Sequence, residues 1–166
     1  MKNDKTVEAL NNLLEINNDR LEGYDTASGE TDETDLKELF GRLAETSLRC
    51  KQELIDEVIS LGGEPVEGTK TSGKFFRVWM DVKAALSGHD RKSIISSCEF
   101  GEDKAMETYK NVLMNDFSNL STRQLTLVHS QHALLKTDHD TVRSLLETLR
   151  HKPENREKSP GNRASL

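Results

Sequence analysis

Four polar residues occupy positions where the helical spacing of the chain calls for apolar ones: Asn17, Glu102, His132 and His139. Glu102 raises the sharpest chemical question. A carboxylate placed in a helical core needs a partner, because an isolated buried charge is costly. Reflected through a turn near residues 117–118, Glu102 falls roughly level with His132, and His129 lies one helical turn from His132. Two imidazoles and one carboxylate suit zinc or iron, so Glu102, His129 and His132 are the candidate metal ligands. A hydrogen-bonded Glu–His or Glu–Tyr layer that fixes helix register would satisfy the same carboxylate. His139 is too far along the axis to share an ion with His129, at about 1.5 Å per residue. It is expected to pair with a neighbouring carboxylate or a backbone carbonyl.

No catalytic residue emerges. GTKTSGK (68–74) approaches a phosphate-binding loop, but Phe75 stands where a magnesium-binding Ser or Thr is needed and no strand precedes it. There is no G-x-S-x-G elbow. Cys50 and Cys98 lack a histidine partner by spacing and read as reduced, buried thiols.

The elements that must position these residues are helices. The chain has 166 residues, 34% apolar and 31% charged, which suits long amphipathic helices around one core. Its prolines are Pro65, Pro153 and Pro160, so two long stretches are free to be helical. Over 4–27, Val7, Leu10, Leu14, Leu21 and Tyr24 form a heptad stripe interrupted by Asn17. A second helix is expected from Asp35, capped with the help of Glu38, to a stop at Gly62-Gly63. Residues 64–72 read as a loop and 73–87 as a shorter helix. Its Phe75, Phe76 and Trp79, with Phe100 nearby, serve either as a cap on the core or as a partner surface.

A third long helix follows Gly88-His89-Asp90, with Ile95, Cys98, Glu102, Ala105, Tyr109 and Val112 on one face. A fourth starts at the capping box Ser121/Gln124 and places Val128, His132, Leu135, His139, Val142 and Leu146 inward. Together they predict an all-α antiparallel four-helix bundle over 1–151, with a short extra helix between helices 2 and 3 and a disordered tail over 152–166. Tyr24 follows Asn17 by the same seven residues that separate Tyr109 from Glu102, an echo between two hairpin halves. Gly23 and Gly41 are expected to face each other across the first hairpin.

A net charge of −6 and a pI near 5.4 argue against nucleic acid as a partner. No apolar run approaches the length of a transmembrane helix, so no membrane association is expected. The start, MKNDKTVEALNN, does not read as a signal peptide, and a cytoplasmic location follows.

A core carboxylate seven residues before a tyrosine resembles the ferritin-like superfamily. More closely, the chain resembles an uncharacterised bacterial ferritin-like four-helix-bundle family, known as a domain of unknown function. Glu15, Asp19 and Glu22-Gly23-Tyr24 carry the likeness in the first helix, followed by Leu61-Gly62-Gly63-Glu64-Pro65 and then Trp79 with Val82-Lys83-Ala84-Ala85-Leu86. Cys98-Glu99, Gly101-Glu102-Asp103, Tyr109 and His139-Asp140 complete it, over roughly 7–150. The resemblance implies a ferritin-like fold. Di-iron members of that superfamily carry a Glu on two helices and Glu-x-x-His on the other two. Here Glu102 fits one position, Asn17 stands at its counterpart, and Glu45-x-x-Leu48 and His129-x-x-His132 stand where Glu-x-x-His is required. Di-iron oxidase chemistry is therefore disfavoured. The expectation is a non-catalytic homo-oligomer or interaction protein, linked to stress, without a cofactor. The alternative is an iron- or zinc-binding protein with a degenerate core site.

Overall fold

The computed structural model describes the backbone of residues 2–68 and 74–164, and the side chains of residues 3–68 and 80–151. The protein is all-helical, 88% helix, with no strand among the described residues. The elements are α1 (Lys2–Glu30), α2 (Thr34–Ser60), α3 (Lys74–Ser87), α4 (Arg91–Asn115) and α5 (Thr122–Ala164), with a 3-10 turn over Phe117–Asn119. The most extensive packing is of α1 on α2 and of α4 on α5, and α3 lies against α4 with a smaller contact to α1. The short helix expected over 73–87 is α3, and its Val82 and Leu86 are buried. Of the aromatics on which the cap or partner surface depended, Phe75, Phe76 and Trp79 lie outside the described side chains, as do those of the tail expected over 152–166, while Phe100 is exposed.

The helix ends follow local chemistry. Gly62 takes φ +76° after α2, while Gly62 N–H donates to the Ile59 carbonyl (2.9 Å) and Gly63 N–H to the Val58 carbonyl (3.0 Å). These two bonds satisfy the last carbonyls of the helix. Gly63 is needed for a different reason: a Cβ there would lie 2.7 and 2.8 Å from the Val7 methyls of α1. After α3 the left-handed position falls on His89 (φ +54°), one residue beyond the glycine that could adopt it freely. Asp90 then caps α4 by accepting from Ser93 N–H. Ser121 and Gln124 form the expected reciprocal box, at 3.1 and 2.8 Å. Asp35 does not cap α2, where Glu33 is the N-cap and makes no side-chain cap bond; Asp35 instead pairs with Arg91 at the start of α4. Gly41 is exposed with open space around it, so it does not pack against the buried Gly23.

The directions of the long helices can be read from their cross-links. Asn17 of α1 bonds Tyr109 of α4, while Tyr24, further along α1, bonds Glu102, earlier in α4. These two helices are antiparallel. The same reversal relates α4 to α5, through Tyr109–Gln131 and Asp103–His139. Since α1 also reverses into α2 across residues 31–33, α2 and α4 run in the same direction, and the chain must return along the length of the molecule between the end of α2 and the start of α4. Part of that return is pinned to α1. The Asn11 side chain accepts from Val66 N–H (2.9 Å) and donates to the Glu64 carbonyl (3.0 Å), and Asn18 donates to the Gly68 carbonyl (3.0 Å).

All four long helices contribute to both apolar clusters. One contains Leu13, Leu54, Tyr109 and Val128; the other contains Phe40, Ile95, Val142 and Leu146 with Tyr24. The polar residues that concern function lie where the two clusters meet.

Candidate functional site

Two polar layers cross the core, about two helical turns apart. The charged layer is built on Arg20 of α1, whose side chain is 0% exposed. Its Nε donates to Glu102 Oε2 (3.0 Å) and its Nη2 to Oε1 (2.8 Å), a bidentate pair between α1 and α4. Nη1 donates to the Ser47 hydroxyl of α2, and Nη2 also reaches Asp138 Oδ2 of α5 at 3.3 Å. The Tyr24 hydroxyl donates to Glu102 Oε2 (2.8 Å), and the Tyr24 ring stacks on Phe40 at 5.9 Å. One guanidinium thus ties together all four long helices.

Burial alone would depress the Arg20 pKa, but Glu102 overrides it, and the guanidinium is held above its ordinary value. Burial, and after it the Glu102 charge, pushes the Tyr24 phenol well above its usual range. Asp138 differs from its neighbours. Its side chain is 17% exposed, and burial raises its carboxyl above the ordinary range despite the opposing pull of Arg20.

The second layer is neutral at its centre. Asn17 Nδ2 donates to the Tyr109 hydroxyl (2.8 Å), which donates to Gln131 Oε1 (2.7 Å). Gln131 Nε2 in turn donates to the Cys50 carbonyl (3.2 Å) and to Glu53 (3.0 Å). Cys50 and Cys98 are both free and buried; burial lifts the Cys50 thiol to about 11 and Cys98 higher still. Neither is a thiolate at neutral pH, and neither is poised as a nucleophile.

The candidate metal ligands are not brought together. Glu102 is spent on Arg20 and Tyr24, His129 is exposed, and His132 lies half-buried with its ring tilted over Tyr109 at 6.4 Å. His132 Nε2 has no hydrogen-bond partner, and burial lowers its pKa, with Lys110 and His129 acting the same way. Among the described residues, no three His, Cys, Asp or Glu side chains converge to hold a metal ion.

The level expected for Glu102 was displaced by the α4–α5 connection. The observed pairs Tyr109–Gln131 and Asp103–His139 centre on residues 120–121 rather than 117–118, because the 3-10 turn lengthens the link. Glu102 is therefore level with Asp138, about two turns from His129 and His132. On α5 the expected Val128, Leu135, Val142 and Leu146 are buried, but the polar members shift by one residue: Gln131 and Asp138 face the layers where His132 and His139 were expected. His139 pairs with carboxylates, as its position suggested, lying between Asp103 and Asp140.

A family model described as a domain of unknown function, DUF2383, matches residues 5–115. The chain belongs to this family. The DUF2383 segment runs from α1 to the end of α4 and includes Asn17, Arg20, Tyr24, Ser47, Glu102 and Tyr109. Gln131 and Asp138 lie beyond it, on α5. No curated protein matches the chain. Within the DUF2383 segment, Arg20 is the residue that sequence reasoning missed. Its signal was nonetheless present, since a residue three after Asn17 and four before Tyr24 shares their helix face.

Proposed function

We propose that this DUF2383 protein is a non-catalytic, ferritin-like four-helix bundle whose core carboxylate is satisfied by a protein cation, and which acts as a self-associating or interaction protein of the cytoplasm. The bidentate Arg20–Glu102 pair carries this reading. A carboxylate already matched in charge and geometry by a buried guanidinium has little to gain from a metal, which would first have to expel that cation. The helix directions support the ferritin-like assignment: α1 antiparallel to α4, α2 parallel to α4, and a long return between the hairpins. The buried free cysteines suit a reducing compartment.

The competing reading keeps Glu102, His129 and His132 as a zinc or iron site. It draws on the unpartnered His132 Nε2, which would be neutral and free to ligate. Elemental analysis of the purified full chain after anaerobic loading with iron or zinc separates the two. The proposed function expects metal far below stoichiometric in both the wild type and Glu102→Gln. Near-stoichiometric metal in the wild type that Glu102→Gln abolishes would establish the competing site.

A further inference from the structure

We propose that the groove between α2 and α5 binds a small zwitterion, a primary ammonium and a carboxylate joined by a short methylene chain, with the ammonium on Asp138 and the carboxylate on Arg42. This binding activity goes beyond the scaffold role and does not depend on it.

The groove has a volume of about 370 Å³ and opens to solvent where α2 and α5 pack only lightly on each other. A volume of that order accommodates a compact metabolite. Its floor is the edge of the charged layer. There one guanidinium serves two carboxylates: Arg20 holds Glu102 through two bonds and reaches Asp138 through a single longer one, at 3.3 Å. With Glu102 matched by two bonds, Asp138 is the less fully matched carboxylate of the layer, held by Arg20 and by the Thr46 hydroxyl, and it is the member that opens into the groove. An ammonium delivered there would neutralise it with a charge-assisted hydrogen bond.

Arg42 lines the same groove one turn before Thr46 and has no ion-pair partner among the described residues. A less fully matched carboxylate and an unpaired guanidinium thus face one cavity. Leu39 and Leu134 line it as well, giving a methylene chain an apolar surface to lie on. Glu45 and Arg49 also border the groove, Arg49 lying 3.9 Å from Glu53. A simple anion would meet Asp138 and Glu45, and a simple cation would meet Arg42 and Arg49, so the mixed lining favours a ligand that carries both charges.

The test is an amide chemical-shift titration of the isotope-labelled full chain with 5-aminopentanoate, beside pentanoate and pentylamine at matched ionic strength. Expected are saturable shifts confined to residues 38–50 and 134–142, with affinity for the zwitterion above that for either single-charge analogue. Asp138→Asn and Arg42→Gln should each weaken binding by about tenfold or more, the scale of one lost charged hydrogen bond. Both side chains reach solvent, so the variants are expected to keep the wild-type spectrum outside the groove. Absence of saturable shifts, or affinity unchanged in Asp138→Asn, overturns the proposal. Pentylamine binding as tightly as the zwitterion overturns the role of Arg42.

Discussion

At the residue scale, Arg20 and Glu102 carry opposite charges into the core at 0% and 1% exposure. Removing one partner leaves the other buried and unmatched, at a cost of about 3–5 kcal/mol, whereas replacing both with apolar residues of similar volume is often neutral. Arg20→Met and Glu102→Met should each lower the urea midpoint strongly, and the double variant should recover much of the loss. Additive losses in the double variant would mean that the two groups do not act as a pair. Asp138 gives a second prediction, with its sign set by linkage. Its folded pKa is raised, so the native state binds a proton more readily than the unfolded chain. Its contribution therefore favours folding at low pH and is lost as pH rises from about 3.9, the ordinary Asp value, through the folded pKa. Wild-type stability measured against Asp138→Asn should decline across that window and then level off. A difference curve that rises with pH would refute the assignment.

At the element scale, the helix ends show where local sequence suffices. The α2 stop at Gly62-Gly63 and the Ser121/Gln124 start of α5 are legible because short-range chemistry dictates them. The α3 stop is less well matched, since Gly88 precedes the left-handed position that His89 fills. His89→Gly should relieve that conformation and raise stability by about 0.5–1 kcal/mol, as read by thermal unfolding. No gain would indicate that the His89 side chain earns its place elsewhere. The start of α2 was misread because Asp35, a good cap in isolation, is drawn to Arg91, 56 residues away. The layer partners on α5 were missed for a related reason. His132 and Gln131, or His139 and Asp138, fit the heptad almost equally well, and only the length of the α4–α5 turn decides between them.

At the scale of the whole molecule, α2 and α4 finish at the same end, and large apolar side chains are exposed there: Ile59 of α2 (59%), Met114 of α4 (78%) and Phe117 of the 3-10 turn that follows α4 (61%). If self-association uses this end, sedimentation should show an oligomer that Met114→Ser/Phe117→Ser shifts towards monomer with little change in unfolding temperature. An unchanged distribution would direct attention to other faces. The path of the chain was legible from periodicity, while the site was not, because its decisive contact joins residues 82 positions apart. That separation also bears on how the protein comes into being. The residues of α1 and α2 precede Glu102 in the chain, so an α1–α2 hairpin on its own has no Glu102 to match the Arg20 cation. In the hairpin alone the Arg20 guanidinium is expected to stay hydrated, and its burial to come only when α4 brings Glu102 to it.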